Sequence, residues 1–144
     1  MKTIRQISVF VENKPGRLSS ITQILKENDI NIRALSIADT RDFGILRIIA
    51  TDPDKACAKL RQEACTVTLT EVVAISIDDE MGKLSDVMTV INDSGMNVEY
   101  MYAFLSKSDN KASIILRVDD NEKANAAFEA AGIALLTEQD INEM

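Results

Sequence analysis

The stretch Glu12-Asn13-Lys14-Pro15-Gly16-Arg17-Leu18 holds the residues best placed to bind a small acid. An alternating run before it (Ile7, Val9, Val11) reads as a half-buried strand. A run after it (Leu18, Ile21, Ile24, Leu25) reads as a helix, so the stretch is a strand-to-helix turn. Pro15 presets one backbone angle, and Gly16 lets other atoms come close to the main chain. Amides at the start of a helix lack intrahelical acceptors and favour a carboxylate or another small anion. Lys14 and Arg17 are cations that could attract the same group, although each would equally serve as a solvated surface charge. Asn13 and, further on, Asn31 carry amides that both donate and accept, which suits the carboxylate and ammonium of a zwitterion. Their bland roles are turn former and strand-start cap, and Pro-Gly can simply start a helix.

The elements around this turn fix its place. The first strand is read over residues 3 to 12, and the first helix sets Leu18, Ile21 and Leu25 on one face, with Ile24 beside them, before ending at Asn28-Asp29. Ile30 to Asp39 and Gly44 to Thr51 read as strands of an antiparallel hairpin turning at Thr40-Arg41-Asp42. Asp52-Pro53 is a helix start, with Asp52 as cap and Pro53 where its missing donor costs nothing, and this helix runs to about Glu63. Cys65 to Ile77 is extended and longer than most strands, so two strands are expected to meet near Thr70-Glu71.

The second half repeats the first. Gly82, Leu84 and Asn97 each stand 66 residues after Gly16, Leu18 and Asn31. Leu84, Val87, Met88 and Ile91 supply the matching helical stripe, and Val98 to Leu105 the matching strand. Asp120 answers Asp52 at an offset of 68, so the second hairpin turn, Ser106 to Lys111, has gained two residues. Ile133 to Leu136 closes the last strand, and Thr137 to Met144 reads as an acidic tail that frays.

Each half is thus strand, helix, strand, strand, helix, strand. The fold class is α+β: two ferredoxin-like βαββαβ units in tandem, residues 1–70 and 71–144, each a four-stranded antiparallel sheet with two helices on one face. Tyr100, Tyr102 and Phe104 fall on one side of their strand and Met101, Ala103 and Leu105 on the other, so both sides want burial.

Composition narrows the function. The 144 residues are 46% hydrophobic, enough for a real core, and 16 basic against 23 acidic residues give a net charge of −7. Nucleic acid and anionic membranes are therefore disfavoured as partners. No apolar run is long enough to span a bilayer or to form a signal peptide, which places the protein in the cytosol. Cys57 and Cys65 lack metal-ligand spacing, histidine is absent, and no nucleophile stands beside a base, so no metal, cofactor or catalytic residue is expected.

Residues 9–18, followed by an amphipathic helix, Ile30-Asn31-Ile32 and Gly44-Ile45-Leu46-Arg47-Ile48, resemble the ACT domain, a small regulatory module of amino-acid metabolism. The resemblance covers nearly the whole chain as two consecutive copies. It implies an amino acid held where two modules meet. Asn13 would bond it from the turn, the backbone around Lys14 to Leu18 would line the pocket, and Asn31 would bond it from the strand. The implied binding set is Glu12, Asn13, Lys14, Pro15, Gly16, Arg17, Leu18 and Asn31. A second, weaker set is Asp79, Met81, Gly82, Lys83, Leu84 and Asn97, where Met81 replaces the usual proline and Asp78, Asp79 and Glu80 oppose a carboxylate. Val11 stands where one variant carries histidine, which leaves the side-chain preference open. The resemblance implies a non-catalytic amino-acid sensor, expected as a homodimer that signals to a separate enzyme or regulator. The alternative is a regulatory subunit docking on a separate biosynthetic enzyme such as an acetolactate-synthase-like partner, since small subunits of acetolactate synthase begin with a similar module.

Overall fold

A computed structural model of the chain describes residues 1–39, 42–105 and 110–144. The first expected hairpin turn at Thr40-Arg41, and most of the second between Ser106 and Lys111, lie outside the described residues. In chain order the elements are β1 (Ile4–Glu12), α1 (Arg17–Glu27), β2 (Ile32–Asp39), β3 (Phe43–Ala50), α2 (Pro53–Gln62), β4 (Thr66–Asp78), α3 (Lys83–Ser94), β5 (Val98–Ala103), β6 (Lys111–Val118), α4 (Asn121–Ala130), β7 (Ala134–Leu135) and α5 (Glu138–Asn142). They divide into two compact units, residues 5–70 and residues 71–144 with 1–4.

In the first unit the sheet order is β2-β3-β1-β4, with β3 antiparallel to both its neighbours. Odd positions of β1 (Ile7, Val9, Val11) and even positions of β3 (Leu46, Ile48) point to one face. There they meet Ile21 and Leu25 of α1 and Leu60 of α2 in a single apolar cluster. The second unit repeats the plan. Val73 and Ile75 of β4 and Ile114 and Leu116 of β6 cluster with Val87 and Ile91 of α3 and Phe128 of α4, and β7 closes the sheet on the other side of β4. This is the doubled βαββαβ arrangement that the 66-residue offset implied.

Two local readings need correction. The expected junction of two strands near Thr70-Glu71 is one unbroken strand of 13 residues. The run Thr66 to Ile77 contains no glycine, proline or asparagine to break it, so Val67 serves the first core and Val73 and Ile75 the second. The tail does not fray either. Thr137 and Asp140 form a capping box, each side chain accepting from the other's backbone N–H, and α5 follows with Ile141 only 2% exposed.

The residues that face away from the helices include several buried ones. Ile4, Gln6, Ala34 and Ile49 in one sheet region, and Val72, Ala74 and Ile115 in the other, are all buried. Tyr100 and Tyr102 lie on this face, with ring centroids 6.4 Å apart in a stacked pair.

Candidate functional site

The turn after β1 is closed by backbone bonds. The Asn13 N–H donates to the Asp42 carbonyl at 3.0 Å, the Lys14 N–H to the Glu12 carbonyl at 2.8 Å and the Ser20 N–H to the Gly16 carbonyl at 3.0 Å. Gly16 is the N-cap of α1 with φ +86°, and a Cβ built there would meet nothing within 4 Å. Its glycine is therefore required by the left-handed backbone and not, as expected, by a close approach of other atoms. A glycine cap has no side chain to offer. The amides of Leu18 and Ser19 consequently have no acceptor among the described residues. Other helices are finished differently: Asp52 caps α2 by accepting from the Lys55 N–H, Asp120 caps α4 through the Lys123 N–H, and Thr137 caps α5.

Charge surrounds these free donors. The Glu12 carboxylate pairs with the Lys14 ammonium at 2.9 Å and lies 4.0 Å from the Arg17 guanidinium. The Lys14 hydrogen bond, then the Lys14 and Arg17 charges, hold the Glu12 carboxyl below its ordinary value. Within residues 12–18 one carboxylate stands with two cations, Glu63 and Asp42 lie alongside, and Asn13 to Leu18 are all exposed.

The second turn has the same backbone. Asp79 N–H donates to the Asn110 carbonyl at 2.8 Å, Glu80 N–H to Asp78 at 2.9 Å and Asp86 N–H to Gly82 at 3.1 Å, with Gly82 at φ +88°. Met81, in place of proline, is fully exposed and leaves this geometry unchanged. The electrostatics differ. Asp78 is paired with Lys111, whose hydrogen bond lowers the carboxyl pKa. Asp79, Glu80 and Asp86 then leave acids in excess around Lys83.

Asn31 and Asn97 stand elsewhere. Asn31 N–H donates to the Thr51 Oγ1 at 3.1 Å and its carbonyl accepts from the Thr51 N–H at 3.1 Å. Asn97 N–H donates to the Asp119 Oδ1 at 3.0 Å, and its carbonyl accepts from the Asp119 N–H at 3.2 Å. These twin clasps place each asparagine at the end of the sheet opposite its own turn. Along β3, Gly44 pairs with Val11 beside the turn, whereas Asn31 is tied to Thr51, seven residues further and about 23 Å away at about 3.3 Å per residue. Within one unit, therefore, the turn and Asn31 are not brought together.

A groove of about 550 Å³ opens beside the first turn, lined by Glu12, Arg17, Ser20 and Ile24, by Glu63 to Thr66, and by Phe10 and Phe43. An equivalent groove of about 330 Å³ in the second unit is lined by Asp78, Lys83, Asp86, Val90, Lys111 and Ile133, with Ser76 at its side. Phe10, Phe43, Cys65 and Lys111 were not among the expected site residues. The hairpin register, which sets Phe43 opposite Glu12 and Lys111 opposite Asp78, is the signal that could have found two of them. Both cysteines are free thiols, with their pKa values pushed up chiefly by burial. Among the described residues no three His, Cys, Asp or Glu side chains gather as a metal site, and no helix is long and apolar enough to cross a membrane.

A family model described as an ACT domain pair matches residues 2–144. The chain belongs to that family. Its two ACT copies account for the repeated turn, helix and hairpin, and ACT domains are regulatory modules. Among solved structures, the ACT pair is similar to protein BT0572 from Bacteroides thetaiotaomicron, with 36% identity and a TM-score of 0.92 over 99% of this chain and 97% of that one. It shares its fold with the ligand-free regulatory subunit of aspartate kinase from Thermus thermophilus, at 17% identity and a TM-score of 0.66 over 89% of each chain. The regulatory subunit from Thermus flavus is alike at 18% identity and 0.64 over 92% of each chain. A search of curated proteins found no match.

Proposed function

We propose that this ACT pair is a non-catalytic amino-acid sensor whose preferred site is the first turn. The observation that carries the reading is the glycine-capped start of α1. The amides of Leu18 and Ser19 have no acceptor there among the described residues, and within the turn Lys14 and Arg17 stand beside Glu12. A ligand carboxylate would take those donors with Arg17 and Lys14 nearby, Asn13 would bond the turn side of the ligand, and Glu12 would face its ammonium. Asn31 lies at the far end of its own sheet, so on this reading it serves a turn from another module, the ligand being held where two modules meet. The second turn, with Asp79, Met81, Gly82, Lys83, Leu84 and Asn97 in the matching positions, holds a carboxylate less well because of its excess acid.

On this reading each unit is one ACT module, and the protein acts in the cytosol as a homodimer. The dimer is supported by β2, an edge strand of its sheet on which Leu35 and Ile37 remain exposed. Ligand binding shifts module placement only through differential affinity for two arrangements, and the signal passes to a separate protein. Screening the full chain against the twenty amino acids by thermal shift tests the reading, since a ligand of the native state raises apparent stability. No shift with any of them would end it.

A second reading, a regulatory subunit docked on a biosynthetic enzyme, is favoured by the fold shared with the aspartate kinase regulatory subunits of two Thermus species. A stoichiometric enzyme partner in native purification supports this reading, and a lone homo-oligomer refutes it.

A further inference from the structure

The two grooves invite comparison because the duplication supplies each with an internal control. Equivalent positions carry the same kind of group along most of the wall: Glu12 answers Asp78, Arg17 answers Lys83, and Ile24 answers Val90. They differ in charge at Ser20 against Asp86 and at Glu63 against Ala131, and on one side at two further places. Phe10 stands where the second groove has Ser76, and Phe43, opposite Glu12 in the sheet, stands where the second has Lys111, opposite Asp78.

The difference changes what each groove can accept. In the second, the Lys111 ammonium reaches back to the Asp78 carboxylate, so that carboxylate is already matched from within the groove. In the first, that position is a phenyl ring, and the Glu12 charge is met from the turn by Lys14. Phe10 and Phe43 both line the groove and are each 54% exposed. Rings lining a concave wall beside charged groups of both signs suit a zwitterion with an apolar body. The volume, about 550 Å³, is ample for one.

We infer that Phe10 and Phe43 determine specificity, and that the first ACT module takes an amino acid with a large apolar or aromatic side chain, which packs against these rings. The inference rests on the proposed amino-acid sensing and names the ligand class of that same site. Small amino acids gain nothing from the rings, and the second groove, lacking them, has no such preference.

Calorimetry on the full chain with L-phenylalanine and L-alanine tests it, using the native protein, Phe43→Lys and Phe10→Ser. Both phenylalanines are surface residues, and circular dichroism checks that each variant is folded. The native chain is expected to bind L-phenylalanine roughly tenfold or more tightly than L-alanine, the yield of burying one ring. Each variant should lose most of that preference. Equal affinities in the native chain, or a preference that survives both substitutions, overturns the ligand class and leaves amino-acid sensing standing. If none of the twenty amino acids binds, the sensing reading falls and this inference with it.

Discussion

Replacing Gly16 and Gly82 separately by alanine distinguishes what the twin turns need from what the ligand needs. Both glycines cap a helix in the left-handed region, at φ +86° and +88°, and in neither case would the added Cβ touch anything within 4 Å. The penalty is then conformational alone. An L-residue in this region costs about 1–2 kcal/mol, partly offset by about 0.4–1 kcal/mol from the stiffer unfolded chain. Each variant should therefore be less stable by about 1 kcal/mol, a fall in Tm of roughly 2–4 °C for a chain of this size. The two losses should match. Ligand binding should not match: turning Gly16 out of its conformation re-aims the Leu18 and Ser19 amides and weakens amino-acid binding several-fold, while Gly82→Ala leaves it level. Paired thermal melts and titrations read both effects. A loss above about 3 kcal/mol in either variant would mean the added methyl meets packed atoms, and equal damage to binding from both would refute the assignment of the site to the first turn.

Two further predictions concern the C-terminal helix. Ile141→Ala removes a fully buried side chain from α5 and should cost about 2–5 kcal/mol in chemical denaturation, whereas a fraying tail would lose almost nothing. Asp140 accepts from the Thr137 backbone N–H, and this bond holds its carboxyl below the ordinary value. A depressed carboxyl stabilises the fold above its unfolded pKa and loses that contribution as pH falls through the folded one. Asp140→Asn should thus flatten the loss of amide protection at Ile141 below the usual aspartate range, read by hydrogen exchange; an unchanged acid profile would contradict the capping box.

The doubled plan was legible because it is written in positions that physics constrains tightly. Gly16 and Gly82 occupy a backbone region closed to most residues, and the stripes Ile21-Leu25 and Val87-Ile91 carry the helical period at the same offset. The continuity of β4 was hidden because periodicity marks a strand's faces and not where one ends. The helix at Glu138–Asn142 was missed although Thr137 and Asp140 have the spacing of a capping box, since the acidic composition around them suggested solvent. The separation of Asn31 from its own turn follows from topology. With β3 antiparallel to both β1 and β2, those two run parallel, so the start of one lies far from the end of the other. The contrast between Phe43 and Lys111 emerged only with the hairpin register, because the two-residue insertion shifts the second frame.

The most direct measurement of the central claim is an amide chemical-shift titration of the full chain with whichever amino acid raises its melting temperature. The account predicts that the Leu18 and Ser19 N–H resonances move downfield with a saturating profile, as expected of donors taken up by a carboxylate, while those of Leu84 and Ser85 move far less. Saturable binding that leaves Leu18 and Ser19 unmoved would contradict it.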